Sequence, residues 1–302
     1  MKRSAAALAA IVCAAGALGA TRYQSHRKHA EADARYATVV SLLASDPSVT
    51  QKGGRALDEM GEAAVAPLMR ALEEGEPAIQ HSAAYALGQV GWQPDVTVTA
   101  LVRHLKDTDS EARIAAAWGL GTMGKKAADA VPALETNLGD PEPGPRMAAA
   151  RAMGKSGPAA ARTAPGLITG LKDSERMVRQ WSAWSLGKID APAQHAVPAL
   201  AEALDDPIAG VRRSAALSLG NFQEEAKPAV PALIKALDDQ SEPVRAFSTW
   251  ALGSIGPDAR DALPRLTAMK PDPNSQFASY LSNAIASISS GRKPAAHAEP
   301  QT

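Results

Sequence analysis

The 302-residue chain has a single cysteine, Cys13, and it lies in the leading segment. No internal disulfide can form, and the rest of the chain has no thiolate for catalysis or metal binding. An excess of charge is lacking too, since 32 Lys and Arg stand against 32 Asp and Glu. A net charge of zero gives no global reason to expect a nucleic acid or a membrane surface as partner, so any asymmetry of charge must be local. Aromatic residues make up only 4% of the chain, yet five of them are Trp. No glycine-rich phosphate loop or nucleophile elbow occurs, and no stretch alternates with the period of two that marks a strand. The histidines (His26, His29, His81, His104, His195 and His297) are scattered, with no two at ligand spacing on one repeated helix. No metal site and no cofactor are therefore expected, and "HRKH" at 26–29 reads as a solvated stretch.

Long hydrophobic runs are also missing, apart from one. "MKRSAAALAAIVCAAGALGA" opens with Lys2 and Arg3 and continues without charge from Ser4 to Thr21. This pattern reads as a secretory signal peptide with small-residue cleavage options after Ala17 or Ala20. Residues 4–21 are also near the lower limit for spanning a bilayer, so an uncleaved membrane anchor is the alternative. Both readings place the protein outside the bacterial cytoplasm or in its membrane. Positive charge on both flanks leaves the orientation open. Val12 directly before Cys13 is a poor context for lipid attachment.

What the chain does have is a period. Gly88, Gly121, Gly154, Gly187, Gly220 and Gly253 are each 33 residues apart, and Leu72, Leu105, Leu138, Leu171, Leu204 and Leu237 keep the same step. A fixed period of this size points to a solenoid whose units stack on their neighbours. Each unit opens near a Pro (Pro132, Pro165, Pro198, Pro231, Pro264), a residue suited to the first position of a helix, where its missing N–H leaves nothing unpaired. Apolar residues three and four apart follow, then a turn such as "DDP", then a second, Ala-rich helix. Both halves, A and B, read as helices. The first copy, about 34–61, is three residues shorter than the rest. In the last copy Ala278 stands where Arg is expected, and Phe277, Leu281, Ala284 and Ile288 give its final helix the single apolar face of a cap. The expected organisation is a leader or anchor over 1–21, a linker over 22–33, the array over 34–290, and a disordered tail over 291–302.

"LDDPIAGVRRSAALSLG" and "LDDQSEPVRAFSTWALGSIG" resemble HEAT repeats of the short, bilin-lyase-like type, with Pro in helix A, Asp at the turn and Arg six residues later. The resemblance covers 34–290 and implies an all-α, right-handed α-α superhelix of about eight two-helix repeats. Its Asp and Arg rows match residue by residue: Asp107 with Arg113, Asp140 with Arg146, Asp173 with Arg179, Asp206 with Arg212, Asp239 with Arg245. The resemblance implies that these rows form a structural hydrogen-bond ladder along the turn side.

Placing Leu186 at the centre of the buried face of helix B and stepping 100° per residue sends Ser182, Ala183 and Ile189 inward, and Gln180, Trp181, Trp184 and Lys188 outward. In the family the second helices line the concave side. The same register across the array gives the rows Tyr85, Trp118, Arg151, Trp184, Leu217, Trp250 and Ser82, Ala115, Ala148, Trp181, Ser214, Phe247. Flanking rows add Lys155, Lys188 and Arg213, and no acidic residue falls in any of them. The expected site is an aromatic, mildly basic groove of Tyr85, Trp118, Arg151, Lys155, Trp181, Trp184, Lys188, Arg213, Phe247 and Trp250. Outward tryptophans in such numbers suggest an interaction surface, while packing between neighbouring B helices would account for the same rings.

The function expected from this groove is non-enzymatic: a monomeric scaffold binding a protein or peptide segment, proline-rich or acidic. The resemblance also implies a second reading, a lyase-like or chaperone-like subunit for a bilin or other tetrapyrrole, although a shared fold does not transfer activity. Deoxyhypusine hydroxylase-like relatives hold two irons through His-Glu pairs, and this chain has no "HE" dipeptide. Nucleic-acid binding in the groove is a third reading, weakened by the small number of cations.

Overall fold

The computed structural model describes residues 27–44 and 52–290. The leader at 1–21 and the tail at 291–302 lie outside these residues. Contacts divide the chain into two compact units, 1–93 and 94–302. No helix among the described residues is long and apolar enough to cross a membrane.

The first unit contains α1 (27–44), α2 (Lys52–Met60), α3 (Val65–Glu74) and α4 (Pro77–Val90). Leu43, Leu57, Leu68, Leu72 and Leu87 form its interior. Where a linker was expected up to residue 33, the described part from 27 onward is helix. Arg27 pairs with Glu31 one turn later, and Arg70 of α3 reaches Asp33 at 2.8 Å while its guanidinium lies 4.2 Å from the Tyr36 ring. These contacts tie the segment to the unit and extend α1 towards the N-terminus.

The second unit alternates A and B helices. The A helices are α5 (Pro94–His104), α7 (Val131–Asn137), α9 (Ala164–Gly170), α11 (Ala193–Ala203), α13 (Val230–Ala236) and α15 (Leu263–Ala268). The B helices are α6 (Ser110–Met123), α8 (Pro143–Ser156), α10 (Arg176–Leu186), α12 (Ala209–Asn221), α14 (Glu242–Ile255) and α16 (Gln276–Ser290). Its core is two parallel rows at the repeat period: Leu101, Leu134, Leu167, Leu200, Leu233 and Leu266 from the A helices, and Leu120, Met153, Leu186, Leu219 and Leu252 from the B helices, all fully buried. Each leucine removed from water contributes roughly 1.5–3 kcal/mol, so the repeat of one residue type supplies the repeat of the fold.

Pro132, Pro165, Pro231 and Pro264 sit in the first turn of their helices as expected, but Pro198 does not. Here α11 begins at Ala193 and Pro198 falls inside it. The neighbouring repeats enter helix A through short 3₁₀ segments such as Gly157–Thr163 and Gln223–Ala229, which this repeat lacks.

Helix B ends on a backbone position with positive φ that recurs every 33 residues: Gly124, Gly157, Asp190, Gln223 and Gly256. The left-handed conformation costs a residue with a Cβ roughly 1–2 kcal/mol, so glycine is favoured there. Asp190 (φ 51°) and Gln223 (φ 52°) carry that strain.

The second periodic device is the Arg–Asp ladder. Arg113 donates through Nε and Nη2 to both carboxylate oxygens of Asp140 at 2.8 and 2.9 Å, while its Nη1 donates to the Asp107 and Thr108 carbonyls. Arg146 grips Asp173, Arg179 grips Asp206 and Arg212 grips Asp239 in the same bidentate way. Within one repeat the linked partners are Arg and the Asp carbonyl; between repeats they are Arg and the Asp carboxylate. Each ladder aspartate also accepts the N–H two residues on, for example Glu142 at 3.0 Å for Asp140 and Glu175 at 2.8 Å for Asp173. Burial pushes the Asp140 and Asp173 carboxyls up, but the arginine fork, the backbone N–H and the neighbouring charges outweigh it and hold both below the ordinary value. For Asp239 the Arg212 fork is the leading cause of the same lowering.

Replacing Gln223 by Gly is expected to raise stability by about 0.5–1 kcal/mol, seen as a melting temperature about 1–4 °C higher, because the strained φ is relieved. A lower melting temperature would contradict the reading of that position. The lowered ladder carboxyls are ionised when folded at a pH where the unfolded chain takes up protons. Their contribution is therefore present above the ordinary carboxylate pKa and is lost as pH falls through the depressed folded values. Asp173→Asn is expected to cost about 3 kcal/mol at neutral pH, and to lose less further stability than wild type between about pH 4.5 and pH 2.5, measured by chemical denaturation.

Candidate functional site

The B helices of the second unit pack on one another in sequence, α6 on α8, α8 on α10, α10 on α12, α12 on α14 and α14 on α16. Small residues permit the approach. A Cβ placed on Gly121 would lie 3.1 Å from the Ala152 Cα, one on Gly187 2.7 Å from the Ser218 Cα, and one on Gly253 2.8 Å from the Ala284 Cα. Serine hydroxyls also clip B helices together: Ser185 Oγ donates to the Ala150 carbonyl between α8 and α10, Ser218 Oγ to that of Ala183 between α10 and α12, and Ser287 Oγ to that of Gly253 between α14 and α16. Asn221 adds a bond from its side-chain amide to the Gly187 carbonyl.

At the other two glycines an indole takes the space. The six-membered ring of Trp184 shares the site above Gly154 with the Ser185 hydroxyl, a Cβ there meeting the ring at 2.5 Å, and that of Trp250 lies over Gly220. The consequence differs along the array. Trp250 and Phe247 were expected to project outward, but they are 6% and 8% exposed. Phe247 packs against Tyr280 of α16, ring centroids 6.4 Å apart, so the final helix covers this part of the face. Burial raises the Tyr280 phenol, as expected for a hydroxyl removed from water. Leu217, Ser214 and Ala148 are buried as well, so the outward placement of the rows fails at these positions too.

Between α6 and α10 the side chains stay partly accessible and come together. Trp118, Arg151, Trp181, Trp184 and Lys188 are half-buried and Lys155 is exposed. The Arg151 guanidinium lies 3.9 Å from the Trp118 ring and 5.4 Å from the Trp181 ring, so a cation is held between two indoles. Trp181 meets Trp184 edge to face, with centroids 5.4 Å apart and planes at 87°. Lys155 and Lys188 each place Nζ 5.5 Å from the Trp184 ring. Cation–π contacts of this kind contribute roughly 0.5–1 kcal/mol each at accessible sites and fix the orientation of both partners.

Arg213 lies half-buried on α12, beyond this cluster. Tyr85 belongs to the first unit, where it is half-buried on α4. The fifth tryptophan, Trp92, falls outside the expected rows and is 43% exposed in the turn after α4. Among the described residues no group of three or more His, Cys, Asp and Glu side chains could hold a metal ion.

The family model for HEAT repeats matches the chain at residues 36–121, 98–164, 164–229 and 197–282. Comparison with curated proteins yields no match. Among solved structures, an engineered protein is similar with 25% identity and a TM-score of 0.56, over 84% of this chain and 78% of that one. YibA of Escherichia coli has 20% identity and a TM-score of 0.63, over 87% and 96%. The complex of CpcE and CpcF of phycocyanin lyase from Nostoc has 23% identity and a TM-score of 0.50, over 74% and 94%. At these identities the last two carry the fold alone. The period, the Arg–Asp ladder and the family match agree: this chain belongs to the HEAT-repeat family.

Proposed function

We propose that the B-helix face between α6 and α12 docks a protein segment bearing acidic residues, and that the protein works as a non-enzymatic scaffold. The observation that carries this reading is the cluster of Trp118, Arg151, Trp181 and Trp184 with Lys155 and Lys188, partly accessible and without a carboxylate in the rows that flank it. Indoles and arginine are the side chains that most often dominate binding energy at protein interfaces, and ordered rings lose little entropy on contact. The absence of acidic residues on this face favours an acidic partner.

The face also has a geometry suited to the role. B helices contact their successors extensively, whereas the A helices α9, α11 and α13 touch only sparsely. The closer layer lies on the short side of a curved stack, which would make this face concave. HEAT repeats commonly bind proteins, and the concave side is where an extended segment meets several repeats at once.

Trp181 is the informative position, because it stands on the cluster without filling a glycine notch as Trp184 does. Against a library of acidic, proline-containing peptides, the wild-type protein is expected to select binders that Trp181→Ala holds about tenfold more weakly, with a melting temperature within a few degrees. Unchanged affinity with a large loss of melting temperature would make the ring a packing element only. A steep loss of binding to single-stranded DNA with rising salt, exceeding the response to peptides, would favour a nucleic-acid partner instead.

A further inference from the structure

The Arg–Asp ladder stops one repeat before the array does. Arg245 is anchored like its predecessors, with Nη1 donating to the Asp239 carbonyl at 2.8 Å and to the Gln240 carbonyl at 3.2 Å. The residue 27 positions on is Asp272, and its Oδ1 accepts the Asn274 N–H at 2.9 Å, just as the ladder aspartates do in their own turns. Yet the side chains of Arg245 and Asp272 do not meet. The carboxylate nearest the arginine is that of Glu242 in its own helix, at 3.9 Å and 65% exposed.

The reason lies in the leucine row. The position 33 residues after Leu237 is Lys270, which does not bury. Helix α15 ends at Ala268, the chain turns extended at Met269, and no leucine draws the Asp272 turn inward. A mostly polar cavity of about 520 Å³ opens between the two turns, with Ala268, Met269 and Pro271 as its accessible apolar wall, above the buried Leu237 and Phe277, and Arg245, Arg265 and Lys270 among its polar residues. Of the carboxylates that line it, Asp239 is held by Arg212 and Asp238 by Arg265. Glu242 and Asp272 are exposed to solvent, which leaves the Nε and Nη2 donors of Arg245 without a bidentate partner.

We infer that this cavity is a carboxylate-binding site, and that the ligand it fits is the C-terminal carboxylate of a peptide ending in an aliphatic residue. The fork that clasps a carboxylate in four consecutive repeats is presented a fifth time to the cavity. Two parallel charge-assisted bonds give it geometric selectivity for a planar anion, and the apolar wall receives the side chain beside it. The site is separate from the B-helix cluster and does not rest on the function proposed there.

N-acetyl-leucine and N-acetyl-leucine amide are the probes, titrated into the full-length ¹⁵N-labelled protein while the Arg245 Nε–Hε signal is followed. The acid is expected to shift it saturably, with the amide at least about tenfold weaker. Arg245→Lys, which keeps the charge and loses the fork, is expected to weaken the acid by a similar factor. Equal responses to acid and amide, or no saturable shift, would overturn the site. Tighter binding of capped aspartate than of N-acetyl-leucine would overturn the assignment to a chain end. If Asp272 closes on Arg245 in solution, Asp272→Asn will lower the melting temperature as much as Asp239→Asn does, and the site is then already filled. The expected change for Asp272→Asn is under about 1 °C, as for an exposed surface substitution.

Discussion

Contact between successive B helices at one small-residue row is the constraint on which the rest of the second unit depends. A glycine every 33 residues meets the next helix either at its backbone, as Gly121, Gly187 and Gly253 do, or at an indole, as Gly154 and Gly220 do. Once that row is fixed, the rotation of every B helix about its axis is fixed, and with it the choice of which side chains reach solvent. Dispersion and burial at such close contacts are strong because packing is dense, and they tolerate little added volume. The aromatic cluster is therefore a consequence of helix register rather than an addition to the surface.

The turn side has a different physics. There, directional bonds couple each repeat to the next: a guanidinium held by its own turn's carbonyls offers its remaining donors forward. The coupling has a polarity, from Arg113 towards Asp239, and so it has a beginning and an end. Gln80 stands 27 residues before Asp107, so no arginine is available in register to grip the first aspartate, whose carboxylate instead lies 3.6 Å from His104. At the far end the polarity leaves an arginine, and the loss of one leucine leaves it a cavity to face. Internal repetition makes such end effects readable, since every other repeat serves as the control.

Much of this architecture was legible in the sequence because it is periodic. The 33-residue step, the two-helix unit and the apolar face of α16 follow from residue spacing, whereas the ladder came from the family resemblance, which matched Asp107 with Arg113 inside one repeat and did not give the carboxylate pairing of Arg113 with Asp140 in the next. Exposure of the aromatic rows was less legible. Angular placement on a single helix put Trp184 and Trp250 at the same rotation, yet one is half-buried among lysines and the other is closed over by its surroundings near α16. That difference depends on what the next repeat supplies. Likewise Arg151 was expected to line the groove as a basic residue, and it stands between two indoles because α6 and α10 bring Trp118 and Trp181 to either side of it. The row of positive-φ turn positions was present in the sequence as Gly124, Gly157 and Gly256, but Asp190 and Gln223 break the residue pattern while keeping the positive φ.

The most direct test of the central constraint compares Gly187→Ala with Gly139→Ala by thermal unfolding. At Gly187 the new methyl would sit 2.7 Å from the Ser218 Cα, whereas at Gly139 its nearest neighbour is the Thr136 carbonyl oxygen at 3.5 Å. Overpacking of about 1–3 kcal/mol should outweigh the helix propensity gained, so the first variant is expected to melt several degrees below wild type and the second within about a degree of it or above. A Gly187→Ala protein as stable as wild type would contradict the account, because the B helices would then not be held at the distance that sets the exposure of the aromatic face.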